Sequence, residues 1–296
     1  MKYTKPPLSY MEQVNLLKER GLRVSDSKSA ESFLRSVNYY RLSGYCLPYE
    51  ESRHVFYPET TIEQIQSLYE FDRQLRFLID EALEVIEIAI RTAVAHHLSH
   101  KYGAFVHENK RHFYSNFKHD AWIAKVHSEA SRSKEIFVTH YKAKYDGFPA
   151  VPIWIAVEIM SFGALSQLYG YLLREDQIAI SKSYGMHSKV FASWIHTFSY
   201  IRNLCAHHSR LWNRQIAIKM VIPNDDNWND VNPKKVGSVI FGIYSMMSEL
   251  SNFHHIRDKW KADILELIAS QNQIPNMYSE MGIDSNFKDS PLWNSR

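Results

Sequence analysis

Cysteine is nearly absent: Cys46 and Cys205 are the only two in 296 residues. They lie far apart and neither has a metal-type spacing, which argues against a disulfide framework and predicts reduced thiols in a cytoplasmic setting. Glycine and proline are scarce, ten of each, which disfavours a turn-rich all-β fold and suits long helices. No stretch approaches the roughly 18 uncharged apolar residues of a membrane span. The opening MKYTKPPLSY has no apolar h-region, so it is not read as a signal peptide. There is no Gly-rich phosphate loop, Walker string, kinase signature, internal repeat or low-complexity run. The formal net charge of +3 is too small to demand a polyanion partner and does not oppose one.

What is present is apolar and helical in pattern. Hydrophobic residues make up 45% and aromatics 14%, enough for a packed core and against global disorder. The length suits one large domain or two small ones. Ser9 precedes an amphipathic helix with Tyr10, Val14 and Leu17, and Asp26 or Ser27 begins a second with Ala30, Phe33 and Leu34. Asn38 to Tyr45 is read as its stop, and Leu47–Tyr49 with Val55–Tyr57 as a small hairpin. Thr60, with Glu63 three residues on, reads as a capping box for the longest helix, which Gly103 ends. Its apolar residues Ile65, Leu68, Leu75, Ile79, Leu83, Ile86, Ile90, Val94 and Leu98 keep helical spacing, with a slip near Phe71-Asp72 that predicts a break. Trp154–Leu173 reads as helical, with Gly163 marking a kink or a close helix contact, another helix runs from about Val190 into the low 210s, and Val236–Ala269 holds one or two more. The fold class is therefore all-α, a bundle of at least four helices. The predicted division is an N-terminal helical extension over 1–58, a helical domain over 59–270 and a weakly structured tail over 271–296.

Charge is unevenly spread. Residues 101–145 hold nine Lys and Arg against four Asp and Glu, a larger surplus than that of the whole chain. Histidines and aromatics are interleaved there. The stretch suits either a solvated helical face or a footprint for a phosphate backbone, with Lys110, Arg111, Lys118 and Lys125 as candidate RNA contacts.

The strongest candidate for chemistry is Arg202-Asn203-Leu204-Cys205-Ala206-His207, followed by His208-Ser209-Arg210. Trp194, Ile195, Phe198, Ile201, Leu204, Cys205 and His208 form a stripe at helical spacing that should face the core. At about 100° per residue, Asn203, His207 and Arg210 share another side, and Arg202 lies about 140° from His207, within reach of its long side chain. Such a set suits metal-free RNA cleavage through the 2′-hydroxyl. Histidine transfers protons near neutral pH. Arginine offers a charged planar fork for phosphate oxygens. Asparagine can position either. The products would be a 2′,3′-cyclic phosphate and a 5′-hydroxyl.

Arg202 to His207 looks like the R-x4-H motif of the HEPN superfamily, and RNLCAHHSRLWNR resembles the Abi family of bacterial abortive-infection proteins, its AbiD/AbiF-like group. Asn38–Tyr45, Phe71–Arg76 through Ile86–Arg91, and Trp154–Gly163 resemble further blocks of that family, in order, over about residues 5–215. The resemblance implies a HEPN-type helical bundle, commonly a homodimer whose two motifs face each other. It also implies antiphage or toxin-like endoribonuclease activity on RNA, with no cofactor. Carried over, Arg202 and His207 are the motif pair and Asn203 is the polar residue next to the Arg. Glu87 and Arg91 lie on the helix expected beside them, Glu87 orienting Arg202, with His208 and Arg210 as flanking support. Independently, one motif supplies one acid-base group and one cation, and a two-fold partner would double both.

Other readings compete. A non-catalytic module could hold a structured or non-coding RNA with the basic stretch and the groove near Arg210, and either form could be restrained by a protein or RNA antitoxin. A metal hydrolase would need a third ligand beside His96 and His100, and none is evident. Cys205 reads as a small buried apolar residue, and Asp225-Asp226 as a turn former.

Overall fold

The computed structural model describes residues 2, 4, 6–271 and 273–294. Its helices are α1 (Tyr10–Glu19), α2 (Ser27–Ser36), α3 (Tyr39–Cys46), α4 (Ile62–Tyr102), α5 (His119–Arg132), α6 (Ile136–Lys144), α7 (Ile153–Ile159), α8 (Phe162–Tyr171), α9 (Arg174–Lys182), α10 (Ser188–Ala206), α11 (Val236–Ser248), α12 (His254–Ala269) and α13 (Met277–Met281). Among the described residues the fold is all-α apart from one two-stranded ribbon, β1 (Glu50–Ser52) with β2 (Val55–Phe56).

α4 is the spine. Its 41 residues span about 60 Å at 1.5 Å per residue, and α3, α7, α9, α10, α11 and α12 pack along it. The capping box falls one residue later than the sequence predicts: Thr61 accepts from Gln64 N and the Gln64 side chain accepts from Thr61 N. Thr60 instead donates its hydroxyl to the Tyr57 carbonyl. No break occurs at Phe71-Asp72. The apolar pattern slips there because Asp72 and Arg76 occupy core-facing positions as a buried ion pair.

The N-terminal elements also depart from expectation. Asn38 does not stop α2 alone; its side chain accepts from Tyr40 N and starts α3. Leu47–Tyr49 is a 3₁₀ turn, so the ribbon begins three residues later than predicted. Trp154–Leu173 is two helices, not one kinked helix. The chain leaves helical geometry at Met160, and Ser161 caps α8 by accepting from Ala164 N, so Gly163 sits in the first turn of a new helix.

The expectation of a weakly structured tail is overturned. Met277, Met281, Phe287, Leu292 and Trp293 are buried and belong to one core cluster that begins at Val14. Trp293 donates its indole N–H to the Phe287 carbonyl at 2.7 Å and packs its ring on Phe241 and Tyr244. Apolar burial of this kind is worth about 25 cal/mol per Å², so the last segment contributes to the fold. Among the described residues no helix is long and apolar enough to cross a membrane.

Candidate functional site

α10 buries Phe191, Trp194, Ile195, Phe198, Ile201 and Cys205, leaving Arg202 partly exposed and Asn203 exposed on its flank. The helix ends at Ala206, earlier than the predicted low 210s. His207 is the C-cap, with its N–H on the Asn203 carbonyl. His208 then adopts φ +54°. Its N–H donates to Cys205 O and that of Ser209 to Leu204 O, the paired bonds of a Schellman ending. Glycine normally takes this left-handed position. Histidine holds it here, so the turn is fixed by the anchoring of Ser209 to Trp212 rather than by local preference. Two expectations fall with the helix. His208 is exposed, not part of the core stripe, because its backbone has turned away. Arg210 leaves the shared face with Asn203 and His207, because it lies beyond the last helical turn.

The segment after the turn is latched from below. Asp72, fully buried, accepts from Leu211 N at 3.0 Å, from Trp212 N at 2.8 Å and from the Tyr45 hydroxyl at 2.7 Å. Arg76 pairs with the same carboxylate and reaches the Ser209 carbonyl at 3.4 Å. Burial, and then the Asp72 charge, push the Tyr45 phenol well above its ordinary value, so it stays a donor. From the N-terminal elements, Arg41 donates to the His208 carbonyl and Arg210 donates to the Gly44 carbonyl. A Cβ on Gly44 would stand 3.2 Å from Arg210 Nη1, so this approach favours glycine. Three distant stretches, 41–45, 72–76 and 207–212, thus form one polar knot. Sequence reasoning places these stretches in family blocks and assigns no role to Asp72, Arg76 or Arg41; it reads Tyr45, with Tyr39 and Tyr40, as a base-stacking or packing ring, and the structure buries Tyr45 in the knot. The slip in α4 periodicity is the available signal.

Arg202 meets α4 farther along. Its Nε lies 3.7 Å from Glu87 Oε2, with the Arg202 side chain 38% exposed and that of Glu87 8%. Arg91 pairs with Glu87 and donates to the Met160 carbonyl at 2.8 Å. That leaves Arg91 Nη1 buried without a hydrogen-bond partner. Above them opens a groove of about 460 Å³ lined by Asp80, Glu81, Glu84, Glu87, Arg91 and Arg202, with the exposed Phe77 and Ile88 on its rim. His207 is exposed but does not line this groove. Arg202, Glu87 and Arg91 are therefore brought together, whereas His207 stands at the adjacent helix end.

The predicted RNA contacts are exposed but divided. Lys110 and Lys118 line a depression with Tyr114 and Phe117. Lys125 lines another with Arg132 and Ser161. Arg111 lines neither, and none of the four lines the Arg202 groove. Beneath them His107 is sealed, both ring nitrogens lacking hydrogen-bond partners. Burial first, then His127 and His119, lower its pKa to about 4. Burial pushes the Cys205 thiol up to about 12, which makes it a poor nucleophile. His96 and His100 stack on each other. Asp225 accepts from Asn227 N, as a turn former does. Among the described residues no group of three or more His, Cys, Asp or Glu is placed to hold a metal ion.

Chemically, the α10 end offers an accessible imidazole and a carboxylate-held guanidinium on a rigid frame. No curated protein and no solved structure matches the chain. The family of Abi-like proteins matches residues 32–213, more than half of the chain and all three stretches of the Asp72 knot. That match ties the protein to abortive-infection defence. The chain belongs to the Abi-like protein family.

Proposed function

We propose that the protein is a metal-independent endoribonuclease of the HEPN type, acting in abortive infection as a homodimer. One observation carries the reading. Arg202 and His207 both stay open to solvent at one end of α10, while Asp72 pins the backbone that follows at Leu211 and Trp212 and the Glu87 carboxylate lies beside the Arg202 guanidinium. A structural Arg and His in this position would be expected to find partners in the core. In the proposed reaction His207 moves a proton between the 2′-hydroxyl and the 5′-oxygen, Arg202 stabilises the charge gathering on phosphorus, and Asn203 positions the strand.

The groove lining bears on how substrate approaches. Four carboxylates face two guanidinium groups there, a balance that repels a phosphodiester from the groove floor. RNA therefore crosses the outer edge at Arg202 and His207. A second copy docking on the rim, where Phe77 and Ile88 are 62% and 52% exposed, would cover apolar surface and bring a second imidazole and guanidinium to that edge.

The exposed Lys110, Lys118 and Lys125, which lie outside this groove, favour one rival, an RNA-binding module without catalysis. Total RNA incubated with the purified protein and EDTA, followed by mapping of 5′-hydroxyl ends, separates the two. New 5′-hydroxyl ends that vanish in Arg202→Ala support cleavage. Bound but intact RNA supports the rival. Loss of the cut on adding EDTA would refute metal independence.

A further inference from the structure

We propose that the exposed stripe of α4 is the surface on which two copies of this chain meet, antiparallel, about a two-fold axis between Ile88 and Ala89. The inference gives the proposed homodimer its face and its register; it rests on the endoribonuclease reading for what the pairing serves, not for the contact itself. Between Phe77 and His100 each exposed residue of α4 stands three or four positions from the next. They therefore form one line along the helix, about 35 Å long. The line runs as a ridge between two hollows. Glu81, Glu84 and Ile88 line both the Arg202 groove and a second hollow of about 920 Å³. Ile180 and Tyr184 of α9, with Leu250, Phe253 and Ile256 around the start of α12, wall the second hollow. A ridge beside a hollow can seat against a copy of itself.

The two halves of the stripe differ in chemistry, and that difference selects the occupant. Phe77, Glu81 and Glu84 stand towards its N-terminal end and Ile88 and Thr92 in its middle. His96 and His100 lie beyond, their ring centres 4.1 Å apart. A two-fold axis between Ile88 and Ala89 lays Glu81 on the partner's His96, Phe77 on the partner's His100 and Ile88 on the partner's Ala89. An imidazole N–H can donate to a carboxylate, two flat rings can pack, and the apolar middle closes on itself. Complementary groups meet at each step, as a self-complementary contact requires. A parallel arrangement would set carboxylate on carboxylate. Other occupants match less of the face. Its carboxylates repel an RNA strand, and Lys101 at its far end is held by Glu175 and Asp176. A basic segment would satisfy Glu81 and Glu84 and leave the imidazoles and Phe77 unmatched.

The register also bears on the candidate site. The axis falls within about 3 Å of Glu87 along α4, and Arg202 Nε lies 3.7 Å from the Glu87 carboxylate. The two Arg202 groups, one from each copy, then stand on either side of the axis, so the partner completes the site.

Sedimentation velocity over a concentration series reaching on the order of 100 µM reads the contact. The wild-type protein should dimerise within that range. Ile88→Glu places like charges beside the axis and should weaken the dimer about a hundredfold. Glu81→Arg and His96→Glu each spoil two symmetry-related pairs and should weaken it about tenfold or more. The double variant Glu81→Arg/His96→Glu restores opposite groups and should recover the dimer. Mixing the two single variants should recover it too, because each offers the group that the other's change demands. Those recoveries separate pairing from misfolding. A wild-type protein that stays monomeric throughout would overturn the face. So would a dimer unmoved by the substitutions, or a loss that neither the double variant nor the mixture repairs. Failure of the cleavage reading looks different: a dimer with this swap behaviour that never cuts RNA leaves the face standing. RNA cut by a protein that is monomeric at every concentration removes the face and leaves cleavage.

Discussion

Two stretches of α4 hold α10 and the segment after it, and they do so in opposite styles. At Asp72 the carboxylate is sealed, and it serves a guanidinium, a phenol and two backbone N–H groups. At Glu87, 15 residues and about 22 Å along the helix, the carboxylate serves Arg91 fully and Arg202 only at 3.7 Å. Arg91 keeps an unused donor there, and Arg202 stays partly in solvent. The first arrangement is complete and the second is open. Satisfied buried networks specify a unique structure, whereas a loosely held cation beside a groove is free to take a new partner. Under the proposed endoribonuclease reading, the Asp72 knot serves positioning and the Glu87 end serves chemistry.

Substitutions at each end sharpen that division. Asp72→Ala strands the buried Arg76 charge and two backbone donors, so it should cost about 3–5 kcal/mol of unfolding free energy, read by urea denaturation. If it costs under about 1 kcal/mol, the knot is not the structural end. The buried His107 gives the next effect. Its depressed pKa means that the unfolded chain binds the proton more readily. Stability should be full above pH 6.5 and fall as pH drops from there towards 4, by on the order of 3 kcal/mol at most. His119, His127 and Glu108 surround it. His107→Leu should flatten that part of the melting-temperature profile, and an unchanged profile would contradict the assignment. Glu87→Gln should cost less stability, about 1–2 kcal/mol, because Arg91 retains the Met160 carbonyl, yet it should lower RNA cleavage at least tenfold by releasing Arg202. Equal losses of stability at Asp72 and Glu87 would erase the contrast. The smallest effect is His208→Gly, which relieves a left-handed residue and should stabilise by about 1 kcal/mol, seen as a small rise in melting temperature.

The sequence discloses what obeys a period. α4 is legible because its apolar residues recur every three or four positions, and its exception at Asp72 is visible as a slip whose cause, a buried ion pair, is not. The end of α10 is hidden. No glycine or proline stands between Gly185 and Pro223, and the turn is made by a histidine that Arg41 and the Asp72 knot hold from elsewhere in the chain. The tail escapes a local reading because Met281, Phe287 and Trp293 obey no helical spacing and are buried by α11, which local pattern does not reveal. The motif pair and Glu87 are nameable from the family likeness. That Arg202 joins Glu87 while His207 stands apart requires the fold.

The most direct test reads cleavage and stability together on Arg202→Ala and His207→Ala. RNA cleavage in EDTA should fall at least a hundredfold in each, while the urea midpoint stays within about 0.5 kcal/mol of wild type. Cleavage that persists at the wild-type rate, or that is lost only in step with unfolding, would contradict a catalytic role for this end of α10.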